Sequence, residues 1–110
     1  MPKPFKREAA RRDLVAQWVW YAEHADSNVA DRFLAAAESA LDLLAQHPRS
    51  GRRLFLENPR LQELRYFLVG GGFDRVLLVY AINGNTVELI RVLHSSREIE
   101  RLFDEGGPEG

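Results

Sequence analysis

Hydrophobic residues recur at helical spacing through the first half of the chain. Between about Glu8 and Ala25 they fall three or four positions apart, at Ala10, Leu14, Trp18, Tyr21 and Ala25. That spacing places them on one face of a helix. A second run with the same period, from Val29 to Leu44, follows the turn and cap residues 26–28 and stops at His47-Pro48. Because the link is short, the two helices are expected to pack antiparallel as a hairpin.

The second half of the chain changes to the period of β-strands. Alternation between Leu61 and Val69, ended by three glycines at 70–72, predicts a strand and a turn. The nearly continuous apolar run from Val76 to Ile82 is typical of a central strand that is buried on both faces. Asn83-Gly84-Asn85 is a hairpin signal, and Thr86 to Leu93 is predicted to pair back. These segments predict a three-stranded antiparallel meander.

The remaining segments are short. Residues 2–6 contain two prolines and can form at most a short edge strand, and the segment from Pro48 to Pro59 is predicted to be a loop. Ser95 and Glu98 have capping-box spacing before a last short helix that ends near Phe103. We therefore predict an α+β fold in one domain, residues 1–103, with a flexible acidic tail at 104–110. One layer of helices is expected on one face of the sheet.

Composition narrows the class of protein. The chain has 110 residues, a net charge of -1 and no cysteine, so it is predicted to be one cytoplasmic domain without disulfides. No apolar run approaches the length of a membrane span. Its three histidines lack a ligand pattern, and the glycines at 70–72 lack the Lys-Ser/Thr of a phosphate loop. We therefore expect no metal and no cofactor.

The order of the predicted elements and the spacing of particular residues within them resemble those of a known protein family. The chain is similar, from about Phe5 to Phe103, to the ParE branch of the RelE/ParE toxin superfamily. The matching pieces are Ala10-x-x-Asp13-Leu14, Trp18 and Tyr21 on the first helix; Phe33, Glu38, Leu41 and Leu44 on the second; Pro48-x-x-Gly51; Leu64-Arg65; Leu78-Val79-Tyr80; and the run from Ile90 to Glu98. This resemblance implies a type II toxin that a small antitoxin, ParD-like or related, neutralises by direct binding.

The same resemblance leaves two activities open. DNA gyrase is the target associated with the ParE branch, whereas RelE relatives cleave messenger RNA on the ribosome. RelE-type nucleases resemble one another in an Arg on the central strand and a Tyr in the last helix. The matching positions of this chain hold Leu77 and Phe103. Neither side chain can clamp a phosphate or donate a proton, so gyrase binding is the leading hypothesis and no catalytic residue is assigned. The nuclease remains the alternative.

Candidate binding residues follow from these hypotheses. Those for the target are Arg65, Arg91, His94, Arg97 and Phe103; those for the antitoxin are Trp18, Trp20, Tyr21, Phe33, Arg52 and Arg53. Arg91 and Arg97 could instead pair with Asp13 or Glu98, and His94 is expected to position the turn after the last strand. Trp18 and Tyr21 are predicted to lie in the core, and Trp20 is predicted to point elsewhere. DNA contact is expected only through the antitoxin, within a higher-order hetero-oligomer, and no membrane contact is expected.

Overall fold

The computed structural model describes residues 3–54 and 63–94 of the chain. The predicted C-terminal helix and acidic tail lie outside the described residues. The elements in chain order are β1 (Phe5–Lys6), α1 (Glu8–His24), α2 (Ser27–Gln46), a 3-10 turn (Pro48–Ser50), β2 (Arg52–Arg53), β3 (Arg65–Gly70), β4 (Phe73–Asn83) and β5 (Thr86–His94). This order confirms the predicted succession of short strand, helical hairpin and meander.

The two helices begin in different ways. At the start of α2 the Asp26 carboxylate accepts a hydrogen bond of 2.9 Å from the Val29 amide, as an N-cap residue does. The residue before α1 is Arg7, whose side chain makes no capping bond. Instead, the Arg7 amide donates to the Leu89 carbonyl at 3.0 Å, so β1 and the edge of the sheet position the start of α1.

The sheet has five strands in the order β1-β5-β4-β3-β2. β3, β4 and β5 form the predicted antiparallel meander, and β1 pairs in parallel with β5. The turn between β3 and β4 places Gly71 and Gly72 at φ 62° and 96°, values that side-chain-bearing residues rarely adopt. The short first strand and the three meander strands were predicted, but β2 was not, because it lies inside the segment predicted as a loop. Two residues are too short to show a period, and Arg52 and Arg53 become a strand only by pairing with β3.

The main core lies between the helices and one face of the sheet. Alternate residues of β4, Val76, Leu78 and Tyr80, point into it and are fully buried. The residues between them, Leu77 and Val79, belong to a second apolar cluster with Leu54, Leu64, Ile90 and Leu93. β4 is therefore the central, doubly buried strand that its sequence predicts. The helices pack on one face of the sheet, and the second cluster makes the other face apolar as well.

Candidate interaction surface

A carboxylate on α1 binds the last strand. Asp13 accepts from the Arg91 guanidinium through both oxygens, at 2.7 Å from Nε and 3.1 Å from Nη2. It also accepts a 2.9 Å bond from the Val92 backbone amide. Both side chains are mostly buried, at 17% and 25% exposure. Of the alternatives left open for Arg91, the structure shows the pairing with Asp13, so this arginine connects α1 to β5.

A bulge in β5 lies directly beside this pair. Val79 pairs with Arg91, but the next residue, Tyr80, pairs with Leu89, so Ile90 is an extra residue in the ladder. A bulge of this kind changes the direction of neighbouring side chains and disrupts pairing locally. Arg91 and the Val92 amide both meet Asp13 immediately after the extra residue.

The turn after α2 is held by a buried phenol. Tyr80 is fully buried; its hydroxyl donates to the Pro48 carbonyl at 2.6 Å and accepts from the Gly51 amide at 2.9 Å. A Cβ at position 51 would lie 2.3 Å from the Tyr80 hydroxyl and 2.8 Å from the Tyr66 carbonyl, so only glycine fits there. Burial raises the pKa of Tyr80, while the Gly51 hydrogen bond and the Arg65 charge act in the opposite direction.

Arg65 holds the same turn from β3. Its Nη1 donates to the Gly51 carbonyl at 2.8 Å and lies 3.4 Å from the Arg49 carbonyl. Arg65 is one of the residues that the sequence predicts to bind the target. In the structure this guanidinium makes intramolecular bonds, so it shapes the Pro48–Arg53 turn, and a contact with the target stays a prediction.

Aromatic rings gather where α1 ends. Trp20, which is 45% exposed, stacks on His24 with ring centres 4.4 Å apart, and His94 lies 5.8 Å from the same indole. Trp20 thus points away from the core, as predicted. His94 ends β5 and is partly buried. Arg97 and Phe103, the other target candidates, lie outside the described residues.

The antitoxin candidates form two groups, four aromatic residues and two arginines. Phe33 is fully buried, and Tyr21 is partly buried against the rings of Phe33 and Phe73. Burial raises the pKa of Tyr21. Trp18 is only partly buried, and its indole donates to Asp31 at 3.1 Å, so it lies between the helices rather than deep in the core. The second group, Arg52 and Arg53, is exposed on β2.

Further large apolar residues, which were not among the predicted binding residues, are exposed. Phe5, Val15 and Val19 are 58%, 63% and 40% exposed, and Leu68 on β3 is 45% exposed. The exposure of two of them could have been predicted from the sequence. Val15 and Val19 are four residues apart, on one side of α1 that is not its predicted core face. Together with Trp20 they give α1 an apolar outer surface.

The described part of the chain offers neither a cation site nor a membrane-spanning helix. Within residues 3–54 and 63–94, no group of three or more His, Asp or Glu side chains is arranged to hold a metal ion. Neither α1 nor α2 is long and apolar enough to cross a membrane.

Comparison with known proteins identifies the family. A family model described as the ParE toxin of the type II toxin–antitoxin system parDE matches residues 6–99. The chain belongs to the ParE toxin family. It is therefore a toxin component of a type II toxin–antitoxin system, as the resemblance implied. No curated protein matches the sequence significantly.

A solved structure agrees with this fold. The chain is similar to a structure described as the chromosomal ParDE toxin–antitoxin system from P. aeruginosa, with a TM-score of 0.70 and 16% sequence identity. The alignment covers 87% of this chain and 98% of the matched chain. At that identity the likeness shows the fold alone, which is the α+β arrangement of a ParE-like toxin.

Proposed function

We propose that this ParE-family chain arrests growth by binding DNA gyrase, and that a ParD-like antitoxin neutralises it by direct binding. The observation that carries the choice of a binder over a nuclease is Leu77. It stands on β4 where the resemblance to RelE-type nucleases would require an arginine, and it is buried at 6% exposure. A buried aliphatic side chain cannot stabilise the charge of a phosphoryl transition state.

The described titratable groups support the same choice. Burial raises the pKa of Tyr21 and of Tyr80, so both phenols remain protonated at neutral pH. The Tyr80 hydroxyl is already bonded to Pro48 and Gly51. Its hydrogen bonds therefore hold the fold together and leave it poorly placed for proton transfer to a substrate.

The exposed apolar side chains support a protein partner. Phe5 and Val15 line one cleft, and Val19 and Trp20 follow on α1 one turn after Val15; exposed apolar residues grouped in this way are typical of interaction surfaces. We propose that the antitoxin covers part of this surface in a higher-order hetero-oligomer in the cytoplasm. DNA contact would then come only through the antitoxin.

The test is to measure both activities with one preparation. Purified chain is added to a DNA gyrase supercoiling assay and, in parallel, to a ribosome-dependent messenger RNA cleavage assay. We expect supercoiling to be inhibited and the RNA to stay intact. RNA cleavage without gyrase inhibition would show that the alternative, a RelE-like endoribonuclease, is correct.

Two variants separate binding from proton transfer. A folded His94→Gln variant should stay toxic, because glutamine replaces the hydrogen bonds of the imidazole but not its acid–base chemistry. Arg97→Ala should weaken growth arrest by removing a charged anchor of the kind that carries much interface energy. Circular dichroism confirms folding of both. Loss of toxicity in His94→Gln with full toxicity in Arg97→Ala would reverse these assignments.

A further inference from the structure

The exposed residues of α1 form a regular stripe. They occur as adjacent pairs that recur every four positions along the helix, at 11–12, 15–16, 19–20 and 23–24. Because residues four apart are neighbours on a helix surface, one row of this stripe consists of Arg11, Val15, Val19 and Glu23. The two valines are 63% and 40% exposed. The row therefore has an apolar centre, with a cation at one end and a carboxylate at the other.

The charges at the two ends of this row have no partner in the described part of the chain. Among residues 3–54 and 63–94, neither Arg11 nor Glu23 makes an ion pair. Glu23 follows Arg11 by 12 positions, 23 minus 11, which is about 18 Å along a helix. The two side chains are too far apart to reach each other, so an ion pair between these two residues has to join two molecules.

The row is complementary to itself when its direction is reversed. In a two-fold symmetric pair, each contact between two residues occurs twice. If Val15 of one copy faces Val19 of a second copy in an antiparallel pair, Arg11 faces Glu23 of the second copy. A shift by one turn in either direction would place a charged residue against a valine, and a parallel pair would place like charges together. One arrangement therefore pairs all the charges and covers all the valines.

The packing rules of helices allow this arrangement. Rows of residues four apart are inclined to the helix axis, and laying two such rows side by side crosses the helices at about 50°, the commonest packing in globular proteins. Ala16 is exposed beside the valines and is small enough to permit a close approach. Next to Val15, a cleft of about 680 Å³ is lined by the 58% exposed Phe5 and by Arg12. The end of α1 of a second copy would lie against this cleft.

We propose that two copies of the chain associate through this face of α1 as an antiparallel, two-fold symmetric helix pair. The contact removes apolar side chains from water, and the charges at its ends set its direction and register. One helix pair is a small interface, so association is expected in the micromolar range. The inference goes beyond the proposed function because it concerns the toxin alone. The proposed antitoxin contact covers part of the same face, so antitoxin and second copy would compete for it.

Charge reversals test the inference by analytical ultracentrifugation of the purified toxin. Arg11→Glu places two carboxylates together at each end of the contact, and Glu23→Arg places two arginines together there. Each variant should raise the dissociation constant of the dimer at least about tenfold. The matched control is Arg32→Glu, which reverses an exposed arginine on α2 that makes no ion pair within the described residues. The control should change the constant less than about twofold, and thermal melting confirms folding.

Restoration of the dimer is the decisive measurement. The double variant Arg11→Glu/Glu23→Arg joins opposite charges again, so its dissociation constant should return to within about threefold of the wild-type value. An equimolar mixture of the two single variants should also dimerise, because one chain then supplies two carboxylates and the other two arginines. These side chains do not meet within one chain, so restoration has to come from the contact between two copies.

Each contrary outcome has one meaning. A toxin that stays monomeric up to about 0.5 mM would overturn the inference. A dimer that neither single variant weakens would use another surface, and failure of either the double variant or the mixture to dimerise would refute the antiparallel register. Gyrase inhibition and antitoxin binding are measured separately, so none of these results affects the proposed function. Conversely, a dimer with the expected responses that leaves gyrase active would support this inference and refute the proposed target.

Discussion

The two helices of the hairpin are similar in length but are held in different ways. α2 buries seven residues, Ala30, Phe33, Ala37, Ala40, Leu41, Leu44 and Ala45, and its first turn is capped by Asp26. α1 buries only Ala10 and Leu14 and has no side-chain cap. Its further attachments include polar bonds, from Asp13 to β5 and from Trp18 to Asp31.

The difference is one reason why we propose a binding surface on α1. α1 exposes three large apolar side chains, Val15, Val19 and Trp20, whereas α2 exposes one, Leu43. Directional hydrogen bonds on its other side keep α1 in register with the sheet. We therefore expect changes in α2 to affect stability first, and changes on the outer face of α1 to affect binding first.

The largest effect is expected from Phe33→Ala. Phe33 is fully buried and packs its ring against Tyr21 and Phe73, so truncation leaves a cavity in the main core. The free energy of unfolding should fall by about 3–5 kcal/mol. Urea denaturation followed by circular dichroism measures it. A loss below about 1 kcal/mol would contradict the view that α2 anchors the hairpin.

The next effect concerns the polar attachment of α1. Asp13→Ala removes the acceptor for Arg91 and for the Val92 amide, and it should lower the free energy of unfolding by about 1.5–3 kcal/mol. The matched control is Asp31→Ala, which loses one exposed bond from Trp18 and should cost less than about 1 kcal/mol. Equal losses in the two variants would show that the Asp13 contact contributes no more to stability than an exposed hydrogen bond.

A smaller effect is expected at the start of α2. Asp26→Ala removes the bond to the Val29 amide and should cost about 1 kcal/mol in the free energy of unfolding. Asn is as good an N-cap as Asp, so Asp26→Asn should restore most of the loss. Thermal melting of the three proteins makes the comparison, and an Asn variant no better than the Ala variant would refute the capping role.

The smallest effect on stability is expected on the outer face of α1. Val15→Ser and Val19→Ser should each change the free energy of unfolding by no more than about 0.5 kcal/mol, because both side chains are already exposed. Affinity for the antitoxin should fall if this face is covered in the complex. Calorimetric titration gives the affinity, and a large stability loss in the isolated toxin would show that the face is packed.

Several elements of the fold could be predicted because their signals are local. Helical spacing located both helices to within two residues, and the apolar run around Leu78 identified the central strand. The residues that carried the resemblance prove to be joined in space: Asp13 bonds Arg91, and Tyr80 and Arg65 hold the turn at Pro48 and Gly51. Their order along the chain identified the family, although it did not reveal these bonds.

What only the tertiary structure decided are the contacts between residues far apart in sequence. Arg91 had two candidate acidic partners, and the register of β5 against α1 selected Asp13, 78 positions away. Arg52 and Arg53 became an edge strand because β3 lies beside them, and Leu68 became exposed because the chain leaves that edge at Ser50. Periodicity reports the face on which a residue lies within its own element. It contains no information about which element packs against that face or where a strand pair ends, and those two facts define the candidate surface.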